Sequence, residues 1–354
     1  MFMCGAATLE CRSALGTVAA ALGGGDRHLW EHNNWSIWAG FSYIKISHEN
    51  NTLVTEFILG SLIDQPELQI PLFFLFLVLY LVTALGNFGL RILIVLNSHF
   101  HTPMYFFLFN LSLIDLCHSS VITHKMLMKF ILGKNVISYM GCMTQLYFFC
   151  FFVISECCVL TSMAYDRYVA TAILFLYNVI MSPKVCSYLI VGSYLMAFSD
   201  AMVHTGFILR LIFCDGNAIN HYFCDFLPLF QLSCTSTYIN ELSILIVGDK
   251  NIIVPSFIIF TSYGFILSSI FQMKSTEGRF KAFSICSSHI IAVSLFFGSD
   301  AFMYLKPYSS SSDKGKISSV FYTTVVPMMN PLIYSLRNKD VKVALRKTLS
   351  RRTF

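Results

Sequence analysis

The stretch that decides the fold is MAYDRYVA, residues 163–170, which closes an apolar run that begins near Tyr139. Because charge is expensive inside hydrocarbon, Arg167 is either an anchor at the membrane edge or a working part of the protein. Cys142 precedes Arg167 by 25 residues, which is about 38 Å at about 1.5 Å per helical residue. That length exceeds the hydrocarbon thickness of about 30 Å. One helix can therefore hold Cys142 at one membrane face and Arg167 at the other.

The composition is that of a membrane protein. Of the 354 residues, 56% are hydrophobic and only 12% are charged, about half the charged fraction of a soluble domain. The apolar residues fall into blocks of about twenty or more, long enough to cross a bilayer as helices. The pattern predicts an all-α bundle of seven transmembrane helices, over residues 70–96, 104–130, 139–168, 186–207, 242–273, 280–304 and 317–336.

The distribution of charge orients the bundle. The tail after the last block carries one acid, Asp340, against seven basic residues, Arg337, Lys339, Lys342, Arg346, Lys347, Arg351 and Arg352. The positive-inside rule places this tail in the cytoplasm, and an odd number of spans then places the N-terminus outside. Because the basic tail directly follows a membrane span, we expect no nucleic-acid partner.

The chain divides into three parts. We expect 1–56 to be an extracellular segment without fixed structure, 57–337 to be the membrane domain, and 338–354 to be a basic cytoplasmic tail with a short amphipathic helix. The first part lacks the basic start of a signal peptide. Two interpretations remain open: these residues are a disordered extension, or the start of the chain is wrongly predicted. Acceptor sequons at Asn34 and Asn50 would be lumenal and open to glycosylation.

Polar residues inside three different blocks indicate a functional interior. Asn87, Asp115 and Asn330 lie in the first, second and seventh blocks. Such groups normally face the interior of a bundle and pair there. Together with Asp-Arg-Tyr at 166–168 and the NPxxY pattern at 330–334, they resemble a class A, rhodopsin-like G-protein-coupled receptor.

Longer strings narrow this resemblance. HTPMYFFL at 101–108, MAYDRYVA at 163–170, KAFSICSSH at 281–289 and PLIYSLRN at 331–338 are similar to vertebrate olfactory receptors of the tetrapod, class II type. The match runs from about Asn50 to the C-terminus. The resemblance implies a plasma-membrane odorant receptor of olfactory cilia, which binds small volatile molecules, raises cAMP through a stimulatory G protein and relies on a trafficking chaperone.

Other functional classes fit less well. An enzyme needs a nucleophile–base set or metal ligands, whereas His204 and His289 are lone histidines in apolar surroundings. A transporter would show broken helices and repeat symmetry, which are absent from the pattern. Two alternatives stay open: a receptor-like chain impaired in folding or coupling, and a chemosensory receptor outside olfaction.

The resemblance also implies site residues. Odorants would bind in an apolar pocket in the outer half of the bundle, lined by Phe149, Cys150, Val153, Ile154, Val247, Gly248, Asn251, Phe297, Asp300, Ala301, Tyr304, Val320 and Thr323. Activation and G-protein coupling would involve Asp166, Arg167, Tyr168, Tyr263, Lys281, His289, Asn330, Pro331 and Tyr334. The implied disulfides are Cys142–Cys224 and Cys214–Cys234, with free thiols as the alternative.

Glu156 adds a second carboxylate to the interior. It shares a helix face with Phe149, Val153 and Arg167, so it points into the bundle. Glu156 and Asp115 cannot both stay ionised there without a cation or a proton. Two interpretations remain: a sodium ion held by Asp115, Glu156 and Asn330, or a protonated pair that only holds helices together. No other cofactor is expected.

The chain departs from the family at two kinds of position. Charges stand where the family is usually apolar, at Arg91, Asp200, Asp249, Lys250 and Asp300. Each costs about 2.5–3.5 kcal/mol at mid-membrane, a large load for a marginally stable fold. Asp300 would either bind a cationic amine or be a damaging substitution.

The second kind of departure concerns residues near the cytoplasmic side, chiefly those that directly follow MAYDRYVA at 163–170. The family continues Ile-Cys-x-Pro-Leu-x-Tyr, whereas this chain reads TAILFLY at 171–177, and Ile285 replaces the usual Thr before Cys286. The Cys and Pro are missing, although Tyr177 keeps its place. Since this loop normally meets the G protein, the change bears on coupling.

Overall fold

A computed structural model describes residues 54–63, 65–132, 135–214, 216–304, 316, 319–337, 341–344 and 346. The side chains of residues 66, 131, 132, 281, 284, 285, 302–304, 336 and 337 are outside that description. The sequons at Asn34 and Asn50 also lie outside the described residues, so glycosylation there stays a prediction.

Each predicted span is confirmed as helical over its described residues, except that the fifth ends at Gln272, one residue before its predicted bound. The long helices are α1 (Pro66–Leu96), α2 (Pro103–Leu132), α3 (Tyr139–Ala172), α4 (Pro183–Ile208), α5 (Tyr238–Gln272), α6 (Thr276–Tyr304) and α7 (Val326–Arg337). A π-helical turn, Phe321–Val325, leads into α7. Within the described part of the chain, α1 to α5 are long and apolar enough to cross a membrane.

Local sequence explains where several helices begin. Proline occupies the first turn of α1 and α4 at Pro66 and Pro183, and α2 starts at Pro103. The missing N–H of proline costs little at a helix start, where that group has no partner in any case. α3 is capped differently, because the Ser138 hydroxyl accepts a hydrogen bond from the Gly141 amide at 3.1 Å.

A small sheet covers one end of the bundle. Its order is β2-β1-β3, with β1 (Glu56–Leu59) antiparallel to β2 (Val136–Ser138) and parallel to β3 (Ala218–Ile219). We call this the sheet end of the bundle and the opposite end the Arg167 end. The sheet starts within the segment expected to lack structure, so that expectation is wrong for Glu56, where β1 begins. Because β1 pairs with β2 on one side and β3 on the other, its backbone N–H and C=O groups have hydrogen-bond partners on both sides.

α3 is the central helix of the bundle. It packs against α2, α4, α5 and α6, whereas α1 packs on α2 and α7. Gly86 permits the close approach of α1 and α7, because a Cβ atom there would lie 3.1 Å from Cγ of Pro331. Next to it, the Asn87 amide donates to the Pro327 carbonyl of α7 at 3.1 Å. The glycine and asparagine thus set one contact between the first and last helices.

The alternating burial of β1 allows a matched test of the sheet. Phe57 is fully buried and its ring meets the Phe213 ring at 5.4 Å, whereas Ile58 is 45% exposed. We expect Phe57→Ala to destabilise the receptor by about 3–5 kcal/mol, the usual effect of emptying a buried aromatic site. Ile58→Ala should change stability by much less. Thermal unfolding of the purified variants checks this, and equal melting temperatures for the two would contradict the packing described here.

Candidate functional site

The loop between α4 and α5 is fixed over the sheet end by two disulfides. They join Cys142 at the start of α3 to Cys224, and Cys214 to Cys234 within the loop, the pairs that the family resemblance implied. Gln145 of α3 adds a second tie, since its side-chain oxygen accepts from the Cys224 amide at 3.1 Å. The loop is therefore held at the top of the central helix.

Three consecutive loop residues reach down onto the bundle. His221 hydrogen-bonds the Ser319 hydroxyl at 3.2 Å, and the Tyr222 hydroxyl meets that of Thr323 at 3.1 Å. The Phe223 ring lies 5.3 Å from the Phe149 ring. We call residues 221–223 the lid. They escaped the sequence analysis, although their position just before Cys224 was the available signal.

Burial fixes the charge state of the loop. Desolvation lowers the pKa of His221 to about 3, with the nearby Lys316 charge acting in the same direction. Desolvation also raises the pKa of Asp225 to about 6, while the Phe226 amide donates to its carboxylate at 2.8 Å. At neutral pH the lid thus presents a neutral imidazole, and the carboxylate beyond it is mostly ionised.

The residues expected to bind odorants are spread over several environments. Phe149 and Thr323 are buried in contact with the lid, and Cys150 is buried next to Phe149 on α3. Ile154 packs with Ala197 and Met196 in the contact between α3 and α4. Partly buried positions are Val153, Val247, Gly248, Asn251, Phe297, Ala301 and Val320. The side chain of Tyr304 lies outside the described residues.

Three of the polar groups predicted to face the interior, all except Asn87, meet beneath this region. The Asn330 amide nitrogen lies 3.1 and 3.2 Å from the two carboxylate oxygens of Asp115 and 3.1 Å from Oε1 of Glu156. All three side chains are almost fully buried. We call these three residues the polar junction. It links α2, α3 and α7 through one amide group.

A histidine missed by the sequence analysis borders the junction. Nδ1 of His118 lies 3.6 Å from Oε2 of Glu156, and neither that oxygen nor the imidazole nitrogens have a hydrogen-bond partner. His118 follows Asp115 by three residues, so the helical period could have placed it on the same face. An unpartnered carboxylate oxygen fits a hard cation such as sodium, which prefers oxygen ligands.

Two of the unexpected charges pair with each other. Nζ of Lys250 on α5 lies 3.2 Å from Oδ2 of Asp200 on α4. The Asn251 amide donates to the same oxygen at 2.9 Å. The helix α3 also contacts these residues, because the Cys157 thiol donates to the Asn251 carbonyl at 3.1 Å. We call Asp200, Lys250 and Asn251 the α4–α5 clamp. Asp200 and Lys250 therefore offset part of each other's expected cost in the membrane, which the sequence analysis counted for each charge separately.

The other unexpected charges differ in their surroundings. Arg91 places its guanidinium carbon 4.2 Å from the centre of the Phe109 ring. Asp300 is buried in α6 with 7% of its surface exposed. Asp249 is exposed, on the same face of α5 as the exposed Leu245 and Ile253. Within the described part of the chain, Asp200 and Lys250 are the only two of the five unexpected charged residues that form a salt bridge with each other.

The Arg167 end carries the residues expected to control coupling. Oδ2 of Asp166 forms a salt bridge with Arg167 at 3.2 Å, and Oδ1 of Asp166 accepts a hydrogen bond from the Tyr177 hydroxyl at 2.9 Å. His289 of α6 donates to the Leu160 carbonyl of α3 at 3.1 Å and accepts from the Tyr263 hydroxyl of α5. Tyr168 packs against Phe265 of α5, with ring centres 5.5 Å apart. Pro331 lies against Gly86 of α1, Tyr334 is buried on α7, and the Lys281 side chain is outside the described residues.

Sequence comparisons place the chain among known receptors. A sequence model described as "olfactory receptor" matches residues 76–352. The chain is 68% identical over 300 residues to olfactory receptor 8B3 of Homo sapiens, covering 85% of this chain and 96% of that protein. It is 64% identical over 307 residues to olfactory receptor 8B8 of Homo sapiens, covering 86% and 99%.

A structural comparison agrees on the fold. Squid rhodopsin matches with a TM-score of 0.65 over 81% of this chain and 82% of its own chain, at 19% sequence identity. At that identity the likeness shows the fold alone. It confirms the rhodopsin-like bundle of seven helices predicted from the sequence.

The α4–α5 clamp generates a double-mutant prediction. Asp200→Asn and Lys250→Met should each destabilise the receptor, because each leaves one charge in the membrane without its partner. The loss should fall below the about 3–5 kcal/mol of a fully buried pair, since the Lys250 side chain is 28% exposed. The double variant should be more stable than either single variant. Melting temperatures that fall additively across the three would contradict the pairing.

Proposed function

The chain belongs to the olfactory receptor family, and we propose on that premise that it is an odorant receptor. Small volatile molecules bind in the outer half of the bundle, and the Arg167 end then activates a stimulatory, olfactory-type G protein that raises cAMP. The observation that carries the proposal is the presence of two separate polar assemblies on one bundle. The lid lies at the sheet end and the Asp166–Arg167–Tyr177 contact lies at the other, with the polar junction between them near the middle of α3.

The proposed orientation puts the sheet end outside the cell. Disulfides form in oxidising compartments, and both disulfides lie at the sheet end. The basic tail follows the Arg167 end and is retained in the cytoplasm by the positive-inside rule. The site of action is the ciliary membrane of olfactory neurons, which the receptor reaches with the help of a trafficking chaperone.

Activation is a population shift between two packings of the helices. An odorant that binds better when α6 has moved outward favours that packing and opens a groove for the G protein. The His289 contacts to Leu160 and Tyr263 join α6 to α3 and α5, so they resist this movement in the resting receptor. Two sites and two states make the step allosteric.

A receptor-like chain with impaired coupling is the second candidate. The changed loop at 171–177 favours it, since that stretch meets the G protein in the family. The contact between Tyr177 and Asp166 argues against it, because the residue that the loop keeps still reaches the Asp-Arg-Tyr motif. The α4–α5 clamp likewise weakens the case for a folding defect.

A cell assay tests the proposed function. The full chain is expressed with a trafficking chaperone, its surface density is measured with an antibody tag, and cAMP is recorded across an odorant panel. We expect at least one odorant to raise cAMP, and Arg167→Ala to abolish that response at equal surface density. Surface receptor that gives neither basal nor evoked cAMP would instead support impaired coupling.

Asp300 extends the proposal to a ligand class. It is buried on α6 and takes part in none of the salt bridges among the described residues. A volatile amine would supply the missing cation. Asp300→Asn should lower the cAMP response to amines by tenfold or more, about 1.4 kcal/mol of lost affinity. Asp249→Asn, an exposed carboxylate on α5, is the matched control, and an unchanged amine response in Asp300→Asn would refute the assignment.

The polar junction supports a proposal about sodium. Asp115, Glu156 and Asn330 would surround the ion in the resting state and supply oxygen ligands to it. In the described residues no group of three or more His, Cys, Asp or Glu side chains is placed to hold a metal ion. The Asn330 amide nitrogen lies between the two carboxylates, so the amide would have to turn its oxygen towards the ion to serve as a ligand. The wild type should melt at a higher temperature in sodium chloride than in potassium chloride, and Asp115→Asn should remove that difference. No difference in the wild type would favour a protonated pair.

A further inference from the structure

Arg91 is a cation inside a membrane helix. It lies five residues before the end of α1 at Leu96, about 8 Å along the axis at about 1.5 Å per residue. Phe109 lies six residues after the start of α2 at Pro103, which is a similar depth from the Arg167 end. The guanidinium carbon sits 4.2 Å from the centre of that ring. Arg91 is thus held at a defined place on the bundle.

The residues around Arg91 form a partly polar patch on the outer surface of the bundle. The Tyr194 hydroxyl of α4 donates to the Asn110 side chain of α2 at 3.4 Å. Asn110 directly follows Phe109, whose ring lies 4.2 Å from the Arg91 guanidinium carbon. The neighbouring α1 residues Phe88 and Val95 are 60% and 61% exposed, so this side of α1 faces lipid. Polar groups from three helices therefore meet at the lipid boundary.

The charge of Arg91 lacks an acidic partner among the described residues. The close pairs of acidic and basic side chains there are His118 with Glu156, Arg167 with Asp166 and Lys250 with Asp200. An aromatic ring orients a guanidinium but does not neutralise it. At a depth of about 8 Å from a helix end, a long side chain can reach the headgroup region. The anion available in that region is the phosphate of a lipid.

The geometry suits a phosphate better than a general interfacial anchor. A guanidinium presents its N–H donors as a planar fork that matches phosphate oxygens. The Phe109 ring fixes the plane of that fork, whereas a guanidinium that only anchors a helix at the interface would be free to rotate. Anionic phospholipids concentrate in the cytoplasmic leaflet, the side on which the proposed orientation puts the Arg167 end.

We propose that Arg91, Phe109, Asn110 and Tyr194 form a binding site for the headgroup of an anionic phospholipid. The Arg91 guanidinium binds the phosphate, and the acyl chains lie along the exposed apolar residues of α1. The bound lipid supplies the counterion that the protein itself does not provide to Arg91. It also bridges α1 and α2 on the face opposite to the contact of α1 with α7.

Lipid retention by the full-length receptor tests the site. The protein is placed in nanodiscs of phosphatidylcholine with or without an equal part of phosphatidylserine, and tightly retained lipid is counted by native mass spectrometry. Because nanodiscs offer both lipids on both faces, the result does not depend on the proposed orientation. No odorant or G protein enters the measurement, so its failure would leave the proposed function untouched.

Matched variants give the expected results. Wild type should retain phosphatidylserine in preference to phosphatidylcholine, and Arg91→Leu should lower that preference by about tenfold, as expected when one charge-assisted contact is lost. Arg91→Lys keeps the charge but loses the planar fork of donors, so its preference for phosphatidylserine should lie between those of wild type and Arg91→Leu. Phe109→Leu should also give an intermediate preference. Arg210→Leu is the control, because Arg210 also lies over a ring, that of Phe207 at 5.8 Å, but at the sheet end.

Three outcomes would overturn the proposal. They are an equal retention of the two lipids by the wild type, an undiminished preference in Arg91→Leu, and an equal loss in Arg210→Leu. The first would mean that Arg91 only extends to the interface. Folding does not confuse the result, because replacing a membrane arginine by leucine favours insertion. The melting temperature of Arg91→Leu in phosphatidylcholine alone verifies this.

Discussion

The side-chain amide of Asn330 joins three helices where water cannot serve as a partner. It lies between the carboxylates of Asp115 and Glu156 and so ties α7 to α2 and α3. In hydrocarbon a polar group without a partner is costly, so the protein itself has to supply most of the partners. The same constraint recurs where Asn87 bonds the Pro327 carbonyl and His289 bonds the Leu160 carbonyl. The bundle is held in register by a few such bonds, and apolar packing fills the space between them.

The constraint also explains how the chain carries charges that are unusual for its family. Asp200 of α4 and Lys250 of α5 form a salt bridge, and the Asn251 amide donates a hydrogen bond to the same carboxylate. Arg91 is oriented by an aromatic ring and faces lipid. Asp300 alone of these is buried without a salt bridge in the described part of the chain, which is why it is the residue assigned to a ligand. Substitutions that look damaging one at a time are therefore partly compensated in the folded protein.

Much of the fold was accessible from the sequence, because membrane thickness fixes the length of each apolar block and proline marks several helix starts. The interior position of Asn87, Asp115 and Asn330 followed from the cost of polar groups in lipid. The sheet did not follow, since β3 has only two residues and its partner strand is more than 150 residues away in sequence. The α4–α5 clamp depends on the rotation of two helices about their axes, and His118 looked like one more polar residue until α3 was placed beside it.

The central claim is that the Arg167 end of this bundle still activates a G protein despite its altered loop. Asp166 holds Arg167 and Tyr177 at the same time, so the loop and the motif act together. The most direct measurement is guanine-nucleotide exchange by a stimulatory G protein in membranes that contain equal amounts of wild type, Arg167→Ala or Tyr177→Phe. The account predicts exchange above that of empty membranes for wild type, loss in Arg167→Ala and a higher basal rate in Tyr177→Phe. Exchange no faster than in empty membranes for all three would contradict it.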